Sequence, residues 1–257
     1  MIRIFLLILL FSGLLAEAQQ VDNITYKDDI PVLYRKEASG GLNIHTNGFG
    51  LTFRKGWHKT GYTRNMLDIE FVSMRHPKQY KLANQYFDNS KPFFFGKLNF
   101  AYMLRGGYGQ QKILFSKGER SGVEVRYSYY VGASLGITKP VYLEVIVPYD
   151  TIPYTITITK KYDPNDPLFQ SPIFISGPGP YFEGFDQLKI YPGGYAKFGV
   201  SFEYAGWHDK ITAIEVGIVA DAHPKAIPIM AENPTQGIFN NRVLVNFYIN
   251  LLWGKKW

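Results

Sequence analysis

From about residue 38 onward, apolar and polar residues alternate in short runs with a period of two, the pattern of strands whose two faces meet different surroundings. The last run is the clearest: Val243, Val245, Phe247, Ile249, Leu251 and Trp253 share one face, and Arg242, Leu244, Asn246, Tyr248 and Asn250 the other. It spans ~11 residues, the length of a tilted strand crossing a bilayer. Before it, Ile214, Val216, Ile218 and Ala220 oppose Ala213, Glu215, Gly217, Val219 and Asp221. Ala196, Phe198, Val200, Phe202 and Tyr204 oppose Lys197, Gly199, Ser201 and Glu203. Val123, Val125, Tyr127, Tyr129 and Val131 oppose Glu124, Arg126, Ser128 and Tyr130. Leu98, Phe100, Tyr102 and Leu104 oppose Asn99, Ala101, Met103 and Arg105, and Leu67, Ile69 and Phe71 oppose Asp68 and Glu70. In the first two runs Leu42 and Ile44 oppose Asn43 and His45; after Asn47-Gly48 the phase shifts by one, and Phe49, Leu51 and Phe53 oppose Gly50, Thr52 and Arg54. Asn-Gly between alternating runs predicts a hairpin, although a bulge in one long strand produces the same pattern. Eight strands are expected. Residues 112–115 and 141–159 have room for two more, so ten is the alternative.

The polar face gathers Arg54, Arg105, Arg126 and Lys197 against Asp68, Glu70, Glu124, Glu203, Glu215 and Asp221, so its charges nearly balance. In a closed eight-stranded barrel these side chains pair in a filled interior with no open channel. A soluble barrel alternates as well, so periodicity alone does not say which face is inside. Loop lengths help decide. With both termini on the periplasmic side, the outward connections cover 47–48, 75–96, 138–194 and 222–241, and the inward turns 57–65, 107–120 and 207–210. Long loops at one end and shorter turns at the other mark outer-membrane barrels. The expected fold class is therefore all-β, an antiparallel transmembrane β-barrel with long extracellular loops, ahead of a soluble barrel or sandwich.

Composition narrows the choice. The chain has 257 residues, 46% apolar and 19% charged, enough for one barrel domain and too polar for a bundle of membrane helices. Its 19 Phe, 19 Tyr and 25 Gly favour strands and tight turns over long helices. Met1-Ile2-Arg3, the apolar run Ile4 to Leu15 and Ala16-Glu17-Ala18 predict a signal peptide over 1–18. A periplasmic segment is then expected over 19–37 and the barrel over 38–257, with an outer insertion at 138–194. The absence of Cys excludes disulfides, thiol catalysis, Cys-ligated metals and a lipoprotein anchor. A net charge of +7 favours anionic partners without choosing among them. The basic residues are dispersed and the chain is expected to be exported, so nucleic acid is not an expected partner.

His45-Thr46-Asn47-Gly48, Met74-Arg75-His76-Pro77-Lys78, Gly107-Tyr108-Gly109, Lys139-Pro140-Val141-Tyr142, Ile229-Met230-Ala231 and Gly254-Lys255-Lys256-Trp257 resemble a family of small outer-membrane β-barrels from Bacteroidota. The ending Trp253 to Trp257 also resembles the aromatic-terminated last strand that marks such barrels for assembly. The resemblance covers most of the chain after the signal peptide and has no reaction attached to its motifs. It implies a place in the outer membrane of a Gram-negative bacterium and, more loosely, an accessory role beside the barrel-assembly machinery. The partners expected are outer-membrane lipid or lipopolysaccharide and other outer-membrane proteins.

Among chemically able residues, His76-Pro77-Lys78, Lys139-Pro140 and His223-Pro224-Lys225 end outward-running strands and suggest a cationic rim for lipid phosphates or an acidic partner. The plainer reading is that the prolines stop the strands and basic residues sit at headgroup level. The five histidines fit no metal-ligand spacing, and no cofactor motif is present. His45, on the polar face near the outer end, is the candidate base if the chain is a lipid A or phospholipid ester hydrolase or acyltransferase, with Ser134 or a lumen carboxylate nearby. A hydrogen-bonded structural His45 is the plainer alternative. A narrow solute channel is a further alternative. The 138–194 insertion carries Tyr149, Tyr154, Tyr162, Phe169, Phe174, Tyr181, Phe182 and Phe185, which suit a partner-binding surface or a lid packed on the barrel mouth. Tyr86, Phe87 and Phe93 to Phe95 of the 75–96 loop extend that candidate surface.

Overall fold

The computed structural model describes residues 34–86, 90–116, 122–148, 155–204 and 209–257. The expected signal peptide, most of the segment after it, and Phe87, Tyr149, Tyr154 and His208 lie outside the described residues. Eight strands close into one barrel: β1 (Lys36–His45), β2 (Gly48–His58), β3 (Thr63–Met74), β6 (Asn99–Phe115), β7 (Glu124–Pro140), β11 (Lys189–Glu203), β12 (Lys210–Ala222) and β13 (Val243–Lys256). Around the wall the order is β1-β13-β12-β11-β7-β6-β3-β2, every neighbouring pair antiparallel. The ten-strand alternative fails because residues 112–115 simply prolong β6, while Pro140, with no N–H to continue the ladder, ends β7. The chain then leaves the wall as β8 (Tyr142–Pro148) and β9 (Thr155–Lys161), which with β10 (Ile175–Pro178) make a separate sheet ordered β10-β8-β9. The insertion outside the wall is thus 141–188, not 138–194; β6 runs on to Phe115, well into the turn expected at 107–120, and the first strand begins at Lys36 rather than 38.

Following paired residues around the wall from Lys36 leads through Trp57, Asn65, Gln110, Tyr129, Phe198, Ile218 and Phe247. Phe247 exchanges hydrogen bonds with Thr46, ten residues along the chain from Lys36. That stagger tilts the strands, as closure requires. Alternation then sorts the two faces. Leu51, Val131, Phe198 and Phe247 point outward at 60%, 63%, 49% and 70% exposure, whereas Arg54, Asp68, Glu70, Arg105 and Glu215 are all at 1% or less.

The first hairpin turns on Thr46-Asn47, and Gly48 is already the first residue of β2. The expected hairpin is present, but among the described residues no non-glycine residue has positive φ, so Asn47 does not take the left-handed conformation that an Asn-Gly turn favours. Glycine is required at 48 because a Cβ there would lie 2.1 Å from the carbonyl oxygen of Ser73. Inside the barrel, small residues face large ones. A Cβ on Gly107 would meet the Tyr195 hydroxyl at 2.5 Å, and one on Gly199 the Tyr248 hydroxyl at 2.3 Å. The Gly107-Tyr108-Gly109 motif thus leaves lumen space for Tyr195 and Tyr130 and sends Tyr108 outward.

At the end that carries the long loops, Ile227, Ile229, Met230 and Ile238 pack on the buried Val72, Met74, Ala101 and Met103. The 223–242 connection therefore dips into the mouth. Outside the wall, Phe93, Val141, Leu143, Val145, Tyr162, Phe169 and Ile175 make a second core under the three-stranded sheet. The Asn84 amide donates to the carbonyls of Ile173 (2.6 Å) and Ile175 (2.9 Å), and the Ser90 hydroxyl to that of Ser176 (2.9 Å). These bonds tie the 75–98 loop, in which β4 (Lys81–Leu82) pairs with β5 (Phe93–Phe94), to the 141–188 insertion.

Candidate functional site

The lumen holds two ion-pair clusters. In the first, Arg54 donates to Asp68 (2.7 Å) and forks onto both oxygens of Glu215 (2.6 and 2.7 Å). Arg105 forks onto Asp221 (2.9 and 2.7 Å) and reaches Glu70 at 3.0 Å. Lys197 sits between Asp68 and Glu70. Three cations thus face four carboxylates, all essentially without solvent contact. Neutral donors add further bonds to the same oxygens: Tyr248 (2.8 Å), Ser128 (3.1 Å) and Asn250 (3.3 Å) reach Glu215, and Asn43 (3.2 Å) reaches Glu70. Buried charge is tolerable only with such saturation, because desolvating each ion costs several kcal/mol. The Arg54 and Lys197 cations also lie 5.1 and 5.5 Å from the Tyr130 ring centre.

The second cluster lies toward the short-turn end. Arg126 pairs with Glu124 and Glu203, Lys256 with Glu203, and Arg64 with Glu37 at 2.6 Å. Glu37, Arg64 and Lys256 were not among the expected lumen charges. Extending the period-two pattern finds them, since Arg64 is in phase with Asp68 and Lys256 with Asn250.

At the loop end the histidines play structural parts. His45 uses both ring nitrogens, with Nε2 3.0 Å from the Ser73 carbonyl and Nδ1 accepting from the Asn47 N–H at 3.3 Å. Ser134 does not meet His45; it meets His223, whose Nε2 is 3.3 Å from the hydroxyl oxygen. A Ser–His contact suggests acyl transfer, but three features oppose it. His223 Nδ1 has no hydrogen-bond partner, both oxygens of the nearby Asp221 belong to Arg105, and both residues are buried in the lumen. Burial also holds the His223 imidazole below its ordinary range, which favours the neutral ring.

The expected cationic rim divides into two groups. His76 contacts the carbonyl of Phe239 at 3.1 Å, and Lys78 donates to those of Gln236 (2.9 Å) and Gly237 (2.7 Å), so both clamp the connection that plugs the mouth. Lys139 and His223 are buried, which removes them from the rim, while Lys225 is exposed. Lys97, unmarked in the sequence, is 2% exposed: its ammonium donates to Gln79 at 3.0 Å and lies 4.6 and 4.5 Å from the rings of Phe94 and Phe100. Burial, with Arg75 close by, pushes its pKa down to about 8. An unfolded chain holds that proton up to about pH 10.4, so it binds more protons than the folded one between the two values and stability rises with pH there. The urea midpoint in detergent micelles is expected to increase from pH 8 to pH 10, and Lys97→Met to flatten the increase. An equal rise in the variant removes Lys97 as its source.

No family model matches this chain, and no curated protein matches it. Solved structures do. The attachment invasion locus protein Ail of Yersinia pestis, in complex with the heparin analogue sucrose octasulfate, aligns with TM-score 0.41 and 6% identity over 88% of this chain and all of Ail. Neisserial surface protein A aligns with TM-score 0.38 and 10% identity over 87% of this chain and 95% of that one.

The insertion's aromatics also separate. Tyr162 and Phe169, expected at a binding surface, are buried with ring centres 5.1 Å apart in the core under the outer sheet. Phe174, Tyr181, Phe182 and Phe185 remain exposed. Among the described residues no group of three or more His, Asp or Glu is arranged to hold a metal.

Proposed function

We propose that the chain is a small outer-membrane barrel with a closed lumen and periplasmic termini, serving as a structural or partner-binding component of an outer-membrane complex. The observation that carries this reading is the contrast between the wall's two faces: charges saturated by one another inside, a continuous apolar belt outside. Such a belt in water is an aggregation hazard; against acyl chains it is at no disadvantage. The plugged mouth and paired lumen oppose a solute channel, and the motif resemblance supports the Bacteroidota family and the link to barrel assembly. The working surface is then the loop-end superstructure. There β9 is an edge strand whose residues 156–161 are all exposed, among them Ile156 and Ile158, which suits strand addition by a partner.

The test is affinity purification of a C-terminally tagged copy from native membranes in mild detergent. Stoichiometric recovery of another outer-membrane protein supports the component role, and a lone barrel opposes it. In planar bilayers the purified protein is expected to show no stable conductance step. A long-lived open state overturns the closed lumen.

A further inference from the structure

We propose that the 180–188 turn is a lipid-contacting collar, folded down along the outside of the wall and seated at the headgroup–acyl boundary of the outer leaflet. This inference rests on the outer-membrane reading above. Alternation along β7 sends Ile137 and Lys139 outward, and Lys139 stands opposite Phe100 of β6. A cation at the upper edge of an apolar belt needs cover, and the turn supplies it. The ammonium donates to the carbonyls of Tyr181 and Glu183, lies 4.9 Å from the ring centres of both Tyr181 and Phe185, and is only 2% exposed. Below it, the Tyr181 hydroxyl is 3.4 Å from that of Tyr102, two residues further along β6 toward the middle of the barrel. The Tyr102 ring is stacked on Phe71, an outward residue of β3, at 5.8 Å. The turn therefore lies against the wall rather than over the mouth.

Its exposed large side chains are apolar or aromatic, with Glu183, Asp186 and Gln187 exposed between them. Gly184, at φ +83°, lets the chain reverse so that Phe182 and Phe185 both flank Tyr181, with ring centres 5.6 and 6.0 Å away. Phe182 is 81% exposed, and Leu188 and Ile190 follow at 44% and 64%. Ile190 continues the outward row through Ile137 and Tyr102, so the patch is continuous with the belt. Aromatic rings tipped with a hydroxyl suit the membrane–water boundary, where one end is dry and the other wet. Beside Ile190, Lys225 lines a groove and has no ion pair among the described residues, leaving it for a lipid phosphate.

The chain contains no Cys, so a single introduced cysteine carries a nitroxide without background. Labels at Phe182→Cys, at Leu188→Cys (which keeps the aromatic cluster whole), at Val131→Cys in mid-belt and at Tyr86→Cys in a loop are compared in dilauroylphosphatidylcholine vesicles by power saturation with oxygen and a nickel chelate. The 182 and 188 labels are expected to show oxygen-to-nickel accessibility shifted from the Tyr86 value toward that of Val131. If both match Tyr86, or are shielded from both reagents, while the 131 label is lipid-exposed, the collar is overturned and the barrel reading stands. If the 131 label is also in water, the membrane reading fails and the collar with it.

Discussion

Arg105→Met is expected to lower the unfolding free energy by about 3–5 kcal/mol, the cost of leaving a buried charge without its partner. Arg105 is fully buried and supplies the ion pair made by Asp221, whereas Glu70 keeps Lys197 and the Asn43 amide when the guanidinium is lost. The stranded group is therefore Asp221. Asp221→Leu in the same chain removes it, and the double variant is expected to recover more than half of the loss. Reversible urea unfolding in micelles, followed by tryptophan fluorescence, reads all three variants. A double variant no more stable than Arg105→Met rules out a stranded carboxylate as the cause. This cycle is cleaner at Arg105 than at Arg54, because Glu215 also accepts from Tyr248, Ser128 and Asn250, and removing it would orphan three donors.

The second large effect is on the outer face. Val131 lies at the centre of the outward run Val125 to Ile137 on β7, between Tyr108 and Ala196 on the neighbouring strands. Val131→Arg is expected to cost about 2–4 kcal/mol in a bilayer, falling to about 0–1 kcal/mol for the same change at Tyr204 beyond the end of β11, as charge insertion depends on depth. On a water-facing surface both changes are within about 0.5 kcal/mol of neutral. Folding equilibria in phospholipid vesicles distinguish the two cases. Equal, small effects at both positions contradict a membrane belt.

Both predictions draw on the part of the molecule most legible in the chain. The separation of Leu42 from Asn43, Ile69 from Glu70, Phe198 from Lys197, and Ile218 from Val219 onto two faces follows from alternation alone, and the structure keeps each pair on opposite sides of the wall. Individual ends were harder to read. Asn47-Gly48 carries a turn signature, yet Gly48 answers to the backbone of β3, which no local pattern reveals. The insertion's aromatics looked alike in sequence, but Tyr162 and Phe169 face a second small core and Phe182 faces outward, because the sheet that sorts them forms from segments far apart in the chain. Lys97 and Lys139 carry no motif that marks them as buried, since beside Phe100 of the wall their cover comes from Phe94, Tyr181 and Phe185 of the long connections.

Alternation along the chain sets the two-faced wall and groups most of the charges of its polar face, Glu37, Arg64 and Lys256 excepted, because the pleat that alternates side chains is a property of each residue and its neighbours. Pairing inside the lumen depends instead on how the wall closes. Arg54 reaches Glu215 across 161 positions and between strands that do not touch in the wall. The closure and the ten-residue stagger set that distance, and both are properties of the whole barrel.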